Sequence, residues 1–377
     1  MKRKFYIPKL SLFALLLLLV SACKKDDAVT PNSGPPVQTR VYYIAAEEVD
    51  WNYLPEGRNV FSGMPFSKLD SVFAVRTPTG PHPRIGSTYR KARYVEYTDA
   101  TFTTPKPIAP EWAHLGLLGP VIRAVVGDSV KVYFKNKTTI RASIHVHGLL
   151  YGKESEGSGN AAGTQASLIA PNASYVYRFF AREGSGPAPE EGSSTMWVYH
   201  SAVNTNQSDL YAGMVGAIVV TKRSMANADA TPTDVDRELV TLYNIFDENM
   251  SPYLARNIAT YLPGFINPNP DDFKMSNMMH SINGYIMANN NAPLNMTKGQ
   301  HVRWYVMGFG DVTGVHTAHW HGNATVINHR DTDVIEILPA SSFVADMTPD
   351  DPGKWAYHCH VSNHAAAGMD TFYTVNP

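Results

Sequence analysis

Cysteine is nearly absent from the sequence, with two residues in a chain of 377. Cys23 lies in a leader-like segment and leaves Cys359 without a partner, so no disulfide framework is available to the fold. An excess of one charge is also missing. The formal net charge is −1, which argues against a nucleic-acid partner. Long amphipathic helical patterns are lacking as well. Short runs of Val, Ile, Tyr and Phe between Gly, Pro, Asn and Asp predict an all-β protein built from sandwiches.

The first 22 residues have the pattern of a signal segment. A basic start precedes an apolar run from Leu10 to Val20, which is shorter than the ~20 residues that cross a bilayer. The small residues before Cys23 resemble a bacterial lipoprotein signal, which implies cleavage before Cys23 and lipid on its sulfur. We therefore expect an exported protein, anchored by lipid to a bacterial membrane and facing the periplasm or the cell surface. Residues 23–39 would form a flexible tether.

An internal repeat indicates two domains. A Val-rich strand, a His-x-His-Gly motif and a Trp-x-Tyr-His strand follow one another twice along the chain, at 126–134, 144–148 and 197–201 and again at 298–305, 316–322 and 355–359. Such a duplication is typical of one structural module used twice. We predict domains at 40–223 and 236–377, separated by the polar stretch between them.

The stretch around the second cysteine predicts a metal centre. Alternate residues of a strand point to opposite faces, so His358 and His360 share one face and Cys359 points to the other. His364 and Met369 follow in a loop that returns to the Cys359 side. A thiolate, an imidazole and a thioether are ligands of mononuclear electron-transfer copper sites, which also need a second imidazole.

The remaining motif histidines predict a second metal centre. Seven of them can line one cavity if the two modules face each other: His145, His147, His200, His319, His321, His358 and His360. His316 precedes its group by three residues and can turn to the Cys359 side as the second imidazole. Imidazole suits copper, the most tightly bound of the common divalent ions.

With these motifs the chain resembles the multicopper oxidase family, and within it the ceruloplasmin and hephaestin branch. The resemblance extends through 42–53, 94–102, 114–122 and 358–375. It implies two tandem cupredoxin-like Greek-key β-sandwiches, about four copper ions per chain and dioxygen as the electron acceptor. By motif, the type 1 ligands would be His316, Cys359, His364 and Met369. The type 2 ligands would be His145 and His319, and the type 3 ligands would be His147, His200 and His360 on one copper and His321 and His358 on the other.

The sequence departs from the family pattern after the first Trp-x-Tyr strand. Family members carry His-x-His there, whereas this chain has His200, Ser201 and Ala202. Ala202 leaves one type 3 copper with two protein ligands, unless a neighbouring side chain or a water substitutes; the candidates are Asn204, Asn206 and Asp209. Ser201 stands where a type 1 site in the first domain would need a cysteine.

The electron donor is expected near a His-x-Ile-Asn-Gly stretch that begins at His280. In the ferroxidase branch this His and nearby acidic residues bind ferrous iron, but Asn363 and Met275 replace the Asp and Glu. Met275, Met278 and Met279 beside His280 form a softer set that suits cuprous ion, unless these methionines simply pack under the loop. Ferrous ion, cuprous ion and phenols stay open as donors.

Two alternatives and an assembly accompany this interpretation. One alternative is a nitrite reductase-like two-domain copper enzyme, which would place its type 1 cysteine in the first domain. The other is a copper-binding or electron-transfer protein with an incomplete cluster. In related two-domain proteins the cluster forms between the first domain of one subunit and the second domain of the next, which implies a homotrimer.

Overall fold

The protein is described here from a computed structural model. It describes residues 34–377, except for 160–163, 190, 205–207, 268, 293 and 311–313. The predicted signal segment with Cys23 and most of the tether therefore lie outside the described residues, and so does Asn206.

The first half of the chain forms two four-stranded sheets. Its strands are β1 (Thr39–Asn52), β2 (Thr88–Glu96), β3 (Ile122–Val125), β4 (Ser129–Asn136), β5 (His145–Val146), β6 (Ser174–Phe180), β7 (Ser194–His200) and β8 (Val215–Thr221). The strand orders are β2-β1-β4-β6 and β3-β8-β7-β5. The short β5 pairs with the end of β7, which places the first His-x-His motif beside His200.

The second half forms a six-stranded and a five-stranded sheet. Its strands are β9 (Arg237–Asp247), β10 (Met278–Ile282), β11 (Leu294–Thr297), β12 (Val302–Gly308), β13 (His316–Trp320), β14 (Thr325–Ile327), β15 (Arg330–Thr332), β16 (Val334–Ile337), β17 (Ser342–Met347), β18 (Gly353–Cys359) and β19 (Asp370–Asn376). The strand orders are β10-β9-β12-β17-β14-β15 and β11-β19-β18-β13-β16. The prediction of an all-β chain with two tandem sandwiches is confirmed, whereas the limits 40–223 and 236–377 stay a prediction.

Helices are short and lie in the connections. In the described residues they are α1 (Lys68–Ala74), α2 (Ser208–Ala212), α3 (Leu254–Tyr261), α4 (Pro270–Ser276) and α5 (Ser362–Ala366), with short 3₁₀ helices at Pro110–Leu115, Lys153–Ser155, Gln165–Ser167, Glu183–Ser185 and Arg223–Met225. Helix α1 begins with a capping box between Ser67 and Asp70, which satisfies two backbone N–H groups at its start. Across the described part of the chain, the helices are all too short or too polar to traverse a bilayer.

Strand β8 shows why some strands lack polar alternation. Ile218 and Val220 point into the core of the first sandwich, whereas Ala217 and Val219 point into an apolar layer shared with the second domain. Strand β9 is divided in the same way between that layer and the core of the second sandwich. Both faces of these strands are buried, so a continuous apolar run is required in each. The two sandwiches are therefore packed against each other through a large apolar interface.

A buried ion pair lies within this interface. Lys91 in β2 and Glu248 just after β9 form an ion pair in which both side chains are fully buried. The Lys91 ammonium also donates to the carbonyl of Tyr211, and the Tyr53 hydroxyl donates to Glu248 over 2.6 Å. Burial lowers the pKa of Lys91 and raises that of Glu248, so the pair stays charged only through these contacts.

The repeated glycine of the His-x-His-Gly motif has the same structural role in both domains. Gly148 and Gly322 have positive φ angles of 73° and 77°. A Cβ on Gly148 would lie 2.0 Å from the Trp197 indole, and one on Gly322 would lie 2.4 Å from the Trp355 indole. Each histidine motif is thus packed directly against the Trp-x-Tyr-His strand of its own domain, which brings the histidines of the two motifs together.

Candidate metal centre

Strand β18 separates two groups of ligands, one on each of its faces. It pairs with β13 so that Cys359 lies opposite Ala318 and His358 lies opposite His319. Cys359 is fully buried on the inner side, whereas His358 is partly exposed. The predicted alternation of faces in this stretch is therefore present in the structure.

The inner group consists of His316, Cys359 and His364. The Nδ1 atoms of His316 and His364 are 3.1 Å apart, and the Cys359 sulfur lies 3.8 Å from Nδ1 of His364. Two ligand atoms that each bind the same ion at about 2.0–2.3 Å are separated from each other by distances similar to these two. Two imidazoles and a thiol, all buried, fit a mononuclear copper ion of the electron-transfer type.

The fourth predicted ligand, Met369, belongs to the same loop. It is fully buried, its N–H donates to the His364 carbonyl over 3.0 Å, and its carbonyl accepts from the Cys359 N–H over 2.9 Å. His364 lies in helix α5, between Cys359 and Met369 along the chain. The loop from Cys359 to Met369 is thus closed on itself by backbone hydrogen bonds, which return Met369 to the cysteine side as predicted.

Burial controls the protonation of the inner group. It raises the pKa of the Cys359 thiol and lowers that of the His364 ring. The Thr317 N–H points at the cysteine sulfur over 3.5 Å, which favours the thiolate. A soft cation that displaces the thiol proton would remove the cost of burying a thiolate, which agrees with a metal-binding role.

The first domain supplies a triad formed by His145, His147 and His200. The Nε2 atoms of His147 and His200 are 3.3 Å apart, and both rings contact that of His145. Nδ1 of His145 lies 2.5 Å from the Glu156 carbonyl, and Nδ1 of His200 lies 2.8 Å from the Ser201 carbonyl. Each carbonyl can accept Nδ1–H, which leaves Nε2 as the metal-binding atom.

The second domain supplies His319, His321 and His358, with the exposed His360 beside them. Nε2 of His358 lies 3.2 Å from Nδ1 of His319 and 3.0 Å from Nε2 of His321. The His360 ring is 5.2 Å from that of His319. Nδ1 of His358 lies 2.9 Å from the carbonyl of Cys359, so the cysteine backbone itself orients this ring.

Burial favours the neutral, metal-binding form of four of these rings. Burial, with a smaller effect of neighbouring histidines, lowers the pKa of His147 and of His200 to about 4. It also lowers the pKa of His319 and His358. Metal binding at neutral pH therefore needs no proton release from these imidazoles.

The motif histidines form one group in each domain among the described residues. His145, His147 and His200 make up the first-domain group, and His319, His321 and His358, with His360 beside them, make up the second-domain group. The expectation that all seven line one shared cavity stays a prediction. The two groups are termed half-sites.

Two of the candidates to replace the histidine that is missing at Ala202, Asn204 and Asp209, lie in the described loop after β7. The Ala202 N–H donates to the Ser143 hydroxyl over 3.1 Å. Asn204 donates to the Ser208 hydroxyl, and the buried Asp209 accepts from the Val203 N–H over 2.8 Å. Their contacts hold the loop after β7.

The predicted donor residues are only partly brought together. The His280 ring lies 5.3 Å from that of His364, and burial lowers the pKa of His280 to about 4. Met279 is fully buried in the apolar interface on the other face of β10, so it does not join His280. Met278 packs against the core of the second sandwich, and Met275 is exposed at the end of α4.

Two phenylalanines that lie outside the sequence motifs contact the half-sites. Phe309 of the second domain lies 5.0 Å from the ring of His200, and Phe61 of the first domain lies 6.5 Å from that of His358. Each half-site thus has an aromatic neighbour from the other domain. Phe61 and Phe309 lie outside the repeated motifs, and only the packing of the two domains identifies them.

Comparisons with known proteins agree with this geometry. A family model described as a multicopper oxidase matches residues 113–225, and a second with that description matches residues 265–377. Mouse hephaestin is 38% identical over 343 residues, which cover 89% of this chain and 29% of hephaestin. Human ferroxidase HEPHL1 and human ceruloplasmin are each 37% identical, over 90% and 89% of this chain and 29% and 30% of those proteins.

Solved structures support the fold. One titled "Crystal structure of multicopper oxidase" matches with a TM-score of 0.57 and 18% identity, covering 90% of this chain and 89% of that chain. The chain spans about three tenths of the length of the curated relatives above. These matches favour neither the nitrite reductase-like alternative nor a copper carrier without oxidase activity.

Proposed function

This chain belongs to the multicopper oxidase family, and we propose that it is a copper-dependent oxidase that passes single electrons from a small donor to dioxygen. The observation that carries the proposal is the position of Cys359. Its side chain belongs to the inner group, and its neighbours His358 and His360 belong to the histidine group on the opposite face.

The ligand assignment follows the family motifs and is supported by the three observed groups. His316, Cys359, His364 and Met369 would hold type 1 copper, His145 and His319 would hold type 2 copper, and His147, His200 and His360 with His321 and His358 would hold the type 3 pair. Bound copper would supply the one-electron redox chemistry and the binding of dioxygen.

The protein contributes orientation, protonation state and exclusion of water. Carbonyl groups of Glu156, Ser201 and Cys359 fix which nitrogen of their histidine partners is presented. Burial lowers the pKa of His147, His200, His319 and His358 and encloses the inner group in the core of the second domain. The peptide bonds from Cys359 to His358 and His360 give the shortest covalent connection between the two groups.

We propose that the half-sites are completed in a homotrimer. A cyclic arrangement would place the first-domain triad of one chain against the second-domain histidines of the next. Leu150 and Phe180, which bridge each other beyond His147, are 48% and 40% exposed. Val334, which lies opposite His319 in the sheet, is 39% exposed. These apolar side chains beside both half-sites suit contact with another copy.

The donor is proposed to approach at His280, the partly exposed ring beside His364. Met275 and Asn363 stand where the ferroxidase branch has carboxylates, so the hard oxygen ligands for ferrous iron are fewer here. The candidate donors at this site are ferrous ion, cuprous ion and a phenol. Because a relative is named a ferroxidase, ferrous ion is the donor with which the other two are compared.

Export and lipid attachment at Cys23 belong to the same proposal. They rest on the basic, apolar and small-residue pattern of the first 23 residues. Mass spectrometry of the membrane-extracted protein would show a lipid-modified N-terminal cysteine. An unmodified Cys23 in the mature chain would contradict the attachment.

The test of the proposed function is oxygen consumption by copper-loaded protein, with copper counted in the same sample. Each donor is supplied in turn, and Cys359→Ser is the matched inactive control. Donor-dependent oxygen uptake that is lost in the control supports the oxidase. Stoichiometric donor oxidation without oxygen uptake would instead indicate an electron carrier.

A further inference from the structure

The segment after β10 contains two adjacent residues in a disfavoured backbone conformation. Met287 and Ala288 have φ angles of 54° and 55°, and they are 0% and 7% exposed. Residues with a Cβ rarely adopt the left-handed region, and two in succession persist only where the surrounding structure imposes it. The surrounding structure must therefore hold Met287 and Ala288 in this conformation.

These two residues bind the backbone on each side of Met369. The Met287 N–H donates to the Gly368 carbonyl over 2.8 Å, and the Ala288 N–H donates to the Asp370 carbonyl over 3.1 Å. Gly368 has a φ angle of 98°, and a Cβ there would lie 2.8 Å from Cγ of Met287. The approach is possible only because residue 368 is a glycine. Met369 is thus held from both of its neighbours.

The first domain in turn holds Met287. The Val60 N–H donates to the Met287 carbonyl over 3.1 Å, and the Asn289 side-chain amide donates to the same carbonyl over 2.9 Å. Asn289 also donates to the Arg58 carbonyl and accepts from the Glu56 N–H, each over 3.0 Å. Asn289 is fully buried, so it ties the segment 56–60 to the carbonyl of Met287.

We propose that Met287 and Ala288, held by Asn289 and the first-domain segment 56–60, form a clamp that positions the Met369 thioether relative to Cys359. The inference rests on the proposed type 1 copper site. Bound copper would supply a reduction potential that depends in part on its thioether ligand, which Met369 would provide. The interdomain contact thereby sets the potential of the inner group, and Asn289 is a positioning residue.

Asn289→Ala is the test, with Asn291→Ala as its matched control. Asn291 lies on the same segment and its amide contacts only the exposed side chain of Glu56, over 2.9 Å, among the described residues. Copper-loaded Asn289→Ala should keep its copper and its blue absorption band. Its reduction potential and type 1 electron paramagnetic resonance spectrum should shift, whereas those of Asn291→Ala should match wild type.

A metal-free measurement tests the same clamp. In copper-free Asn289→Ala the amides of Met287 and Ala288 should exchange with solvent about tenfold faster than in wild type, because the Asn289 side-chain bonds that tie this segment to the first domain are lost and the segment opens more often. Asn289→Ser, whose hydroxyl can retain one of those bonds, should give a smaller change in the same direction. If Asn289→Ala does not fold, Asn289→Ser takes its place in the test of the clamp.

The combination with Met369→Leu separates positioning from a general loosening of the fold. If Asn289 acts through the thioether, Asn289→Ala should add no further shift of the potential in the Met369→Leu background. An unchanged potential in Asn289→Ala, or a shift that persists without the thioether, overturns the clamp. A wild-type protein without a blue band would instead refute the proposed copper site and this inference with it.

Discussion

Pairing of half-sites between chains can be tested by subunit complementation. One variant carries His147→Ala and His200→Ala and lacks the first-domain half-site. The other carries His319→Ala and His321→Ala and lacks the second-domain half-site. Neither should consume oxygen alone, because each trimer junction would contain a defective half. Mixed trimers should contain one junction in three where an intact first domain meets an intact second domain.

The expected size of the recovery follows from counting. Random mixing of equal amounts makes about three quarters of the trimers mixed, and one third of their junctions are intact, so about one quarter of wild-type activity should return. The assay is oxygen uptake after co-refolding, with subunit mass measured by light scattering. His82→Ala, which removes an exposed histidine far from the motifs in sequence, is the matched control for refolding losses. If both half-sites of one cluster came from the same chain, mixing would restore nothing, and that result would refute the pairing.

Three further changes test other parts of the structure. Lys91→Met leaves the buried Glu248 carboxylate without its cation, so it should lower the free energy of unfolding, measured in urea, by about 3–5 kcal/mol. Adding Glu248→Gln to this variant should recover part of the loss. An unchanged free energy of unfolding in Lys91→Met would show that the fold does not need the pair. A hydrogen bond to Asp346 raises the pKa of His301 above its usual 6.5, so the stability that this pair contributes is full below pH ~6.5 and is lost as the pH rises through the folded-state pKa. The melting temperature of wild type should therefore exceed that of His301→Gln most at about pH 6 and converge with it at about pH 9, and a constant difference would argue against this titration. Ala202→His supplies the absent imidazole and should let the protein retain one more copper ion after desalting. An unchanged copper content would contradict the assignment of residue 202 to a ligand position.

The sequence predicted those features that depend on local periodicity. The opposite directions of Cys359 and His358 follow from the two-residue period of a strand, and the repeat identified two sandwiches. The same period places Met279 on the face of β10 opposite to His280, although proximity in sequence suggested one soft site.

Features that depend on the packing of distant segments could not be predicted. The clamp at Met287 joins residues near 58, 288 and 369, and nothing local in Ala288 predicts a left-handed backbone. The contact of each histidine group with a phenylalanine of the other domain likewise depends on how the two domains pack. The division of the histidine ligands between the two domains, in contrast, follows from the repeated motifs.

The central claim is that one cysteine connects a mononuclear copper site to a cluster made from the duplicated halves. The most direct measurement records copper content, the blue absorption band and donor-dependent oxygen uptake for wild type and Cys359→Ser, prepared side by side. The account predicts that the variant binds one copper ion fewer than wild type, has no blue band and consumes no oxygen. A blue band or oxygen uptake that persists in Cys359→Ser would contradict it.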